Sequence, residues 1–131
     1  MILKQIDLNT DYELLCSWWN KRNFPCMPKE ALTDYGYMVS SGDNDIAAVW
    51  LYPIITSKLC WFGFFISNKD VAPEIRNEAM DYLISGVENK ARDMGYDMIM
   101  TVSGNEKVQK RLEKNNYNIG QINSIEYLKG L

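Results

Sequence analysis

The stretch that decides the fold runs from Leu59 to Tyr117 and reads LCWFGFFISNKDVAPEIRNEAMDYLISGVENKARDMGYDMIMTVSGNEKVQKRLEKNNY. An apolar segment, Leu59–Ile66, is followed by a turn and by a long amphipathic segment that opens near Pro73. A second apolar segment, Tyr96–Val102, leads into a short polar helix. This order of strand, loop, helix, strand and helix predicts a βαβα unit. The loop before the long helix would point free backbone N–H groups outward, which is where a pyrophosphate binds.

Both helices of this unit carry recognisable signals. The long helix is predicted over Pro73–Met94, because its apolar residues recur every three or four positions. These residues are Ile75, Ala79, Met80, Leu83, Ile84, Val87, Ala91 and Met94. Gly95 then stands where a glycine ends a helix. The second helix is predicted over Asn105–Lys114, with Asn105 as a candidate N-cap.

The rest of the chain predicts the remaining strands of the sheet. The predicted elements are an edge strand over Met1–Leu8, a helix starting at Asn9-Thr10-Asp11, a helical turn over Lys29–Leu32, strands over Asp34–Ser40 and Ile46–Ile55, and one or two closing strands over Tyr117–Leu131. Ile46–Ile55 and Leu59–Ile66 are apolar on both faces, as central strands are. We expect them to be antiparallel neighbours, with the helix Pro73–Met94 across one face. The predicted class is α/β, in one domain over residues 1–131.

Composition excludes several classes of function. The net charge of −3 and the lack of a basic run give no indication of nucleic-acid binding. No apolar run reaches the roughly 20 residues that span a bilayer, and the N-terminus lacks a signal-peptide layout. The three cysteines lack C-x-x-C spacing, which favours reduced thiols and a cytoplasmic location. The absence of histidine excludes Ser-His-Asp and Cys-His catalysis and histidine-ligated metals, and no metal site is predicted.

This order of elements resembles the GNAT superfamily of N-acetyltransferases over nearly the whole chain. In that family an R/Q-x-x-G-x-G/A loop wraps the coenzyme A pyrophosphate, and here Arg76-Asn77-Glu78-Ala79-Met80-Asp81 stands in its place. A second family pattern, N-x-x-A-x-x-x-Y-x-K-x-G-F, falls on the segment from Asn105 to Tyr117. Three further features look like a small GNAT-like subgroup of phage and prophage genomes, namely the Trp18-Trp19 pair, the Ala48-x-Trp50-Leu51-Tyr52 strand and the Ser67-Asn68-Lys69 turn. The resemblance implies a GNAT-like mixed, mostly antiparallel central sheet flanked by helices.

The resemblance also implies a set of binding residues. Acetyl-CoA would be the co-substrate, and its acetyl group would pass to an amine of a small molecule or a protein. The implied cofactor-binding residues are Phe65, Ile66, Arg76, Asn77, Glu78, Ala79, Met80 and Asn105. Phe65 and Ile66 would act through their backbone groups at the end of the central strand. Asn105 would contact the pantetheine arm as well as cap its helix.

Two departures from the family pattern leave the function open. Asp81 replaces the second glycine of the loop, and Leu112 stands where many members place the tyrosine that protonates the departing thiolate. Tyr35 and Tyr37 are the candidates to supply that proton, and the rival interpretation is that both only pack. The alternative to an enzyme is a GNAT-like binding or structural module, phage-associated, that no longer uses acetyl-CoA. A homodimer is left open.

Overall fold

The computed structural model describes residues 1–131. Its elements, in chain order, are β1 (Ile2–Gln5), α1 (Leu8–Lys21), a short 3-10 helix (Lys29–Ala31), β2 (Gly36–Ser41), β3 (Asn44–Pro53), β4 (Leu59–Ser67), α2 (Pro73–Asp93), β5 (Met98–Met100) and α3 (Glu106–Lys114). The five strands form one sheet in the order β1-β2-β3-β4-β5. The first three pairings are antiparallel and the pairing of β4 with β5 is parallel. The predicted mixed, mostly antiparallel α/β fold is therefore confirmed.

The two strands with apolar residues on both faces lie inside the sheet, as predicted. β3 and β4 are antiparallel neighbours, β2 and β5 flank them, and β1 forms one edge. Every residue from Ile46 to Leu51 of β3 is fully buried. Burial is complete because α2 covers one face of the sheet and α1 covers the other. A strand covered on both sides has no polar face to show in its sequence.

Each face of the sheet has its own hydrophobic core. On the first face, Val49 and Phe62 pack with Leu83 and Val87 of α2 and with Leu112 of α3. The second core lies under α1, where its members include Leu15, Trp18, Trp19, Met38, Trp50 and Ile66. The rings of Trp19 and Trp50 stack with their centroids 5.6 Å apart. The two cores hold α1 and α2 on opposite faces of the sheet. The end of α1 and the beginning of α2 both lie near the end of β4.

Local signals set the helix boundaries close to the predicted positions. α1 begins at Leu8 because Asp7 is its N-cap and accepts a hydrogen bond from the Asn9 amide at 3.0 Å. α2 begins at Pro73 and ends at Asp93, shortly before Gly95, which has a φ of +90°. That left-handed conformation costs glycine nothing, so the helix ends there.

Two predictions about strands are wrong. β5 spans only Met98–Met100 rather than Tyr96–Val102. Tyr117–Leu131 forms no strand, although closing strands were predicted there. The apolar residues of this segment recur at every third position, from Ile119 through Ile125 to Leu131, and those side chains stay exposed. A spacing of three does not put alternate residues on one face, so the segment gains little by pairing as a strand.

None of the helices combines the length and the apolar character that crossing a bilayer requires.

Candidate functional site

The sheet opens between β4 and β5. The two strands pair in parallel only from Leu59 to Trp61, opposite Met98–Met100. Beyond Trp61, β4 continues to Ser67 with β3 as its only neighbour. An opening at the carboxyl end of parallel strands is the place where ligands bind in open α/β sheets.

A strained residue of β4 lies beside this opening. Phe64 has a φ of +58°, a left-handed conformation that is rare for a bulky residue. The register between β3 and β4 shifts at the same point, because Ala48 faces Ile66 whereas Trp50 faces Gly63. This is a β-bulge, which bends a strand and re-aims its side chains. Backbone strain of this kind concentrates at ligand and active sites.

The two predicted strand-end residues lie on opposite faces of the sheet, as consecutive residues of a strand do. Phe65 packs on Phe62 in the α2 core, with ring centroids 5.2 Å apart. Ile66 is buried under α1. Both side chains belong to the core, as the sequence indicated, while their backbone lies on the part of β4 that β5 does not cover.

The true connection between β4 and α2 is the segment 68–72. It begins with an Asx turn, in which the Asn68 side chain accepts from the Asp70 amide at 3.0 Å. Ala72 is the N-cap of α2 and offers no side-chain acceptor, and Pro73 has no N–H. The free amides of the first helical turn therefore point outward without a side-chain cap. An anion would satisfy them.

The six residues predicted to stand in place of the pyrophosphate loop, Arg76 to Asp81, lie inside α2 instead. Arg76–Met80 belongs to the first turns of the helix, because Pro73 already has the helical φ and starts it three residues earlier. Of these residues, Arg76 alone reaches back to the connection, where its Nη1 donates to the Lys69 carbonyl at 3.0 Å. Asn77 faces α3, Glu78 is exposed and Ala79 is buried in the core.

Arg22 joins this junction from the other side of the sheet. It is the C-cap residue of α1, and its Nη2 donates to the Ser67 hydroxyl at 2.7 Å. Its Nε and Nη2 also donate to the Ser67 carbonyl at 3.3 and 3.2 Å. Burial lowers the pKa of Arg22, and the nearby Arg76 guanidinium lowers it further. Nothing in the sequence points to Arg22, since the contact joins residues 45 positions apart.

The positive charge at this junction is not neutralised by the protein. Neither Arg22 nor Arg76 has a carboxylate within ion-pair distance, and the nearby Asp70 is bound by Lys21. Two guanidinium groups that repel each other are stabilised when an anion lies between or beside them. The junction therefore combines two unpaired arginines with an uncapped helix N-terminus at the end of β4.

Asp81 does not oppose this positive charge. The residue lies five positions after Arg76, so the two side chains leave α2 about 140° apart. Asp81 forms an ion pair with Arg111 of α3, with 2.7 Å between Oδ1 and Nη1. Arg111 also donates to the Asn77 carbonyl and side-chain oxygen, both at 2.9 Å. Asp81 therefore holds α3 against α2.

Five residues, 101–105, separate the end of β5 from the beginning of α3 at Glu106. Asn105 is the N-cap, as predicted, and its Oδ1 accepts from the amides of Lys107 and Val108 at 3.0 and 3.2 Å. Thr101 follows the last residue of β5, and its hydroxyl is buried without a hydrogen-bond partner in the protein. Buried hydroxyls are normally paired. A bound molecule with amide groups could supply the missing partner.

The two candidate proton donors lie elsewhere on the sheet. Tyr37 is 6% exposed and packs in the α2 core, where the Lys90 ammonium is 5.8 Å from its ring centroid. Burial raises the pKa of Tyr37, with Tyr35 and Asp93 adding to the effect. Lys90 lies 14 residues after Arg76, or about 21 Å along the helix. Tyr35 precedes β2 and is 39% exposed.

Solved structures share this fold over nearly the whole chain. The wild-type protein TTHA1254 from Thermus thermophilus matches with a TM-score of 0.70 at 11% identity, covering 100% of this chain and 99% of that one. An acetyltransferase from Trypanosoma brucei matches with a TM-score of 0.67 at 13% identity, covering 97% of this chain and 99% of that one. The aminoglycoside N-acetyltransferase AAC(6')-Iy, in complex with CoA, matches with a TM-score of 0.65 at 12% identity, covering 99% and 100%.

At these identities the likeness establishes the GNAT-like fold and leaves the activity to be argued from the site. No family model matches the sequence, and no curated protein matches it.

Proposed function

We propose that this protein binds acetyl-CoA at the β4–α2 junction and in the opening between β4 and β5, and transfers the acetyl group to an amine. The observation that carries the proposal is the pair of arginines, Arg22 and Arg76, without a carboxylate partner beside the uncapped start of α2. A pyrophosphate would accept hydrogen bonds from both guanidinium groups and from the helix amides. Support for the class comes from AAC(6')-Iy, which has the same fold and is solved with CoA.

The residues around the opening fit the pantetheine arm of the co-substrate. Phe65 and Ile66 would bind it through backbone groups on the side of β4 that β5 leaves free. Thr101, whose hydroxyl is buried without a partner, and the cap residue Asn105 follow β5 in the chain and would contact the arm from the other side. Asn77, Glu78, Ala79 and Met80, proposed from the family pattern, would contribute by forming the first turns of α2 rather than by wrapping the phosphates.

Acetyl transfer to an amine needs little covalent help from a protein. The chain has to hold the thioester beside a neutral amine and to offer donors to the carbonyl oxygen. The strained backbone at Phe64 is the candidate for such positioning, since it lies on the free side of β4. We propose a small molecule or a protein amine as the acceptor. Of the two proposed proton donors, Tyr35 is partly exposed and Tyr37 is buried, so only the Tyr35 hydroxyl is accessible to a substrate.

Several finer expectations stay predictions from the sequence. These are the cytoplasmic location, the homodimer and the assignment to a phage-encoded subgroup. The solved structures do not support the phage-encoded subgroup. The competing function is a binding or structural module that has kept the fold without using acetyl-CoA.

Isothermal titration of the purified protein with acetyl-CoA tests the proposal directly. We expect saturable binding, weakened by added salt because the contacts are to phosphates. Desulfo-CoA should bind as well, whereas S-acetylpantetheine, which lacks the phosphates, should bind more weakly. An absence of heat and of any thermal shift at millimolar acetyl-CoA would remove the enzyme proposal and leave the binding module.

A further inference from the structure

One face of α1 carries a stripe of polar and thiol side chains. Tyr12, Cys16 and Asn20 are spaced four residues apart and therefore lie along one line of the helix. The segment after α1 folds back along this line. The Tyr12 hydroxyl donates to the Met27 carbonyl at 2.6 Å, and the Cys26 sulfur lies 3.9 Å from the Asn20 side-chain oxygen.

These two contacts place the cysteines opposite each other. Cys16 lies midway along the line between Tyr12 and Asn20, and Cys26 and Met27 contact the two ends. Both thiols are free and partly buried. The neighbouring Cys16 thiol is the largest cause that raises the pKa of Cys26, ahead of desolvation. The same thiol also raises the pKa of Tyr12 to about 12.

The charged groups around the pair are few. The Lys29 ammonium lies 5.1 Å from the Tyr12 ring centroid, and Glu30 is close enough to raise the Tyr12 pKa. Neither cysteine has a basic residue positioned to stabilise its thiolate, so reaction at neutral pH is slow.

We propose that Cys16 and Cys26 form a reversible intramolecular disulfide, with a low-molecular-weight disulfide such as glutathione disulfide as the oxidant. Cys26 reacts first because it lies on the irregular segment between Pro25 and Pro28, whereas Cys16 is held within a helix.

The exchange proceeds in two steps that balance. The Cys26 thiolate attacks one sulfur of glutathione disulfide, a new S–S bond forms, and one glutathione leaves as its thiolate. The Cys16 thiolate then attacks the Cys26 sulfur and displaces the second glutathione. Two protein thiols are oxidised, losing two protons and two electrons, and one glutathione disulfide is reduced to two glutathiones. The product ties the segment after α1 to the helix, independently of acetyl transfer.

Cys60 provides an internal control. It is buried in the core on β4, burial raises its pKa, and its thiol donates a hydrogen bond to the Met98 carbonyl at 3.5 Å. It has no second cysteine beside it and should stay reduced in the folded protein.

The test incubates the folded protein with glutathione disulfide at about pH 9.5, above the free-cysteine pKa of about 8.5, because the pKa of Cys26 is raised. The reaction is then stopped with acid, the protein is unfolded so that the buried Cys60 is accessible, the remaining thiols are alkylated, and intact and peptide masses are measured. We expect the loss of two hydrogens, one alkylated residue at Cys60, and a higher melting temperature that dithiothreitol reverses. Cys16→Ser should stop at the mixed disulfide and keep one glutathione on Cys26. Cys60→Ser should form the disulfide like the native chain.

Three outcomes would overturn the inference. In the first, the native protein keeps glutathione on Cys26. In the second, all three thiols can still be alkylated after the incubation. In the third, the Cys16–Cys26 bond forms only after the protein has been unfolded in urea. Melting curves of each variant before oxidation separate a failure to fold from a failure to react.

Discussion

The guanidinium of Arg22 and the hydroxyl of Ser67 are 2.7 Å apart, and this contact brings the end of α1 to the end of β4. Ser67 is the last residue of β4, and the part of β4 after Trp61 is not paired with β5. The contact leaves Nη1 of Arg22 without a hydrogen-bond partner in the protein, beside Arg76 and the start of α2. The candidate site is thus assembled from three elements that are distant in the chain.

Arg22→Gln tests this assembly. The variant should weaken binding of acetyl-CoA by about 1–2 kcal/mol, the scale of a charge-assisted hydrogen bond. Binding of S-acetylpantetheine should not change, because it carries no phosphate. Calorimetry with both ligands makes the measurement, and Arg92→Gln, whose side chain is 66% exposed near the other end of α2, is the control. Equal losses for both ligands would mean that Arg22 acts only by holding α1 against β4.

Arg76→Ala tests the second arginine. The helix should persist, since alanine is the best helix former. The affinity for acetyl-CoA should fall by about 1–2 kcal/mol, because the cation beside the phosphates is lost. Fluorescence or calorimetric titration gives the value, and far-ultraviolet circular dichroism checks that α2 is intact. Unchanged affinity would leave phosphate binding to Arg22 and the helix amides.

Tyr35→Phe tests the proton donor. If the Tyr35 hydroxyl protonates the departing thiolate, turnover with an identified acceptor should fall by about 100-fold, while KM changes little. Tyr37→Phe should leave turnover unchanged, because that hydroxyl is buried under α2 and its pKa is raised. Release of CoA is measured with a thiol reagent. Full activity in both variants would assign the proton to solvent.

The Asp81–Arg111 ion pair predicts a coupling between α2 and α3. Arg111→Ala should destabilise the fold by about 1–2 kcal/mol, because its side chain is only 16% exposed and three contacts to α2 are lost. Asp81→Asn should cost less than about 1 kcal/mol, since Asp81 is partly exposed and solvent screens it. Urea unfolding of the two single variants and the double variant measures the coupling. Additive losses would show that the pair contributes nothing of its own.

Asp45 predicts a pH dependence of stability. Partial burial acts to raise its pKa, but hydrogen bonds from Lys4 and from the Ser40 hydroxyl at 2.6 Å outweigh it, so the pKa lies below 3.8. A carboxyl group with a lowered folded pKa stabilises the protein above its unfolded pKa and loses that contribution as the pH falls through the folded value. Below about pH 4 the free energy of unfolding of the native protein should fall by about 0.5–1 kcal/mol more than that of Asp45→Asn, which has no carboxylate to protonate at this position. Parallel stability curves for both proteins would contradict this assignment.

Much of the fold follows from short-range signals in the sequence. Pro73 and Gly95 bound α2, and Asn105 caps α3, because each of these residues acts on the backbone within one turn of itself. Likewise, the apolar residues on both faces of Ile46–Ile55 require cover on both sides, which places β3 inside the sheet.

The tertiary structure decided the contacts that make the candidate site. Arg22 and Ser67 meet because α1 and β4 pack in one core, and Asp81 is ion-paired because α3 supplies Arg111. The size of the opening between β4 and β5 depends on how many residues of these two strands pair. The segment after Tyr117 stays exposed because no strand of the sheet pairs with it. Periodicity and caps report on neighbours along the helix or strand, whereas these features depend on packing between segments far apart in the chain.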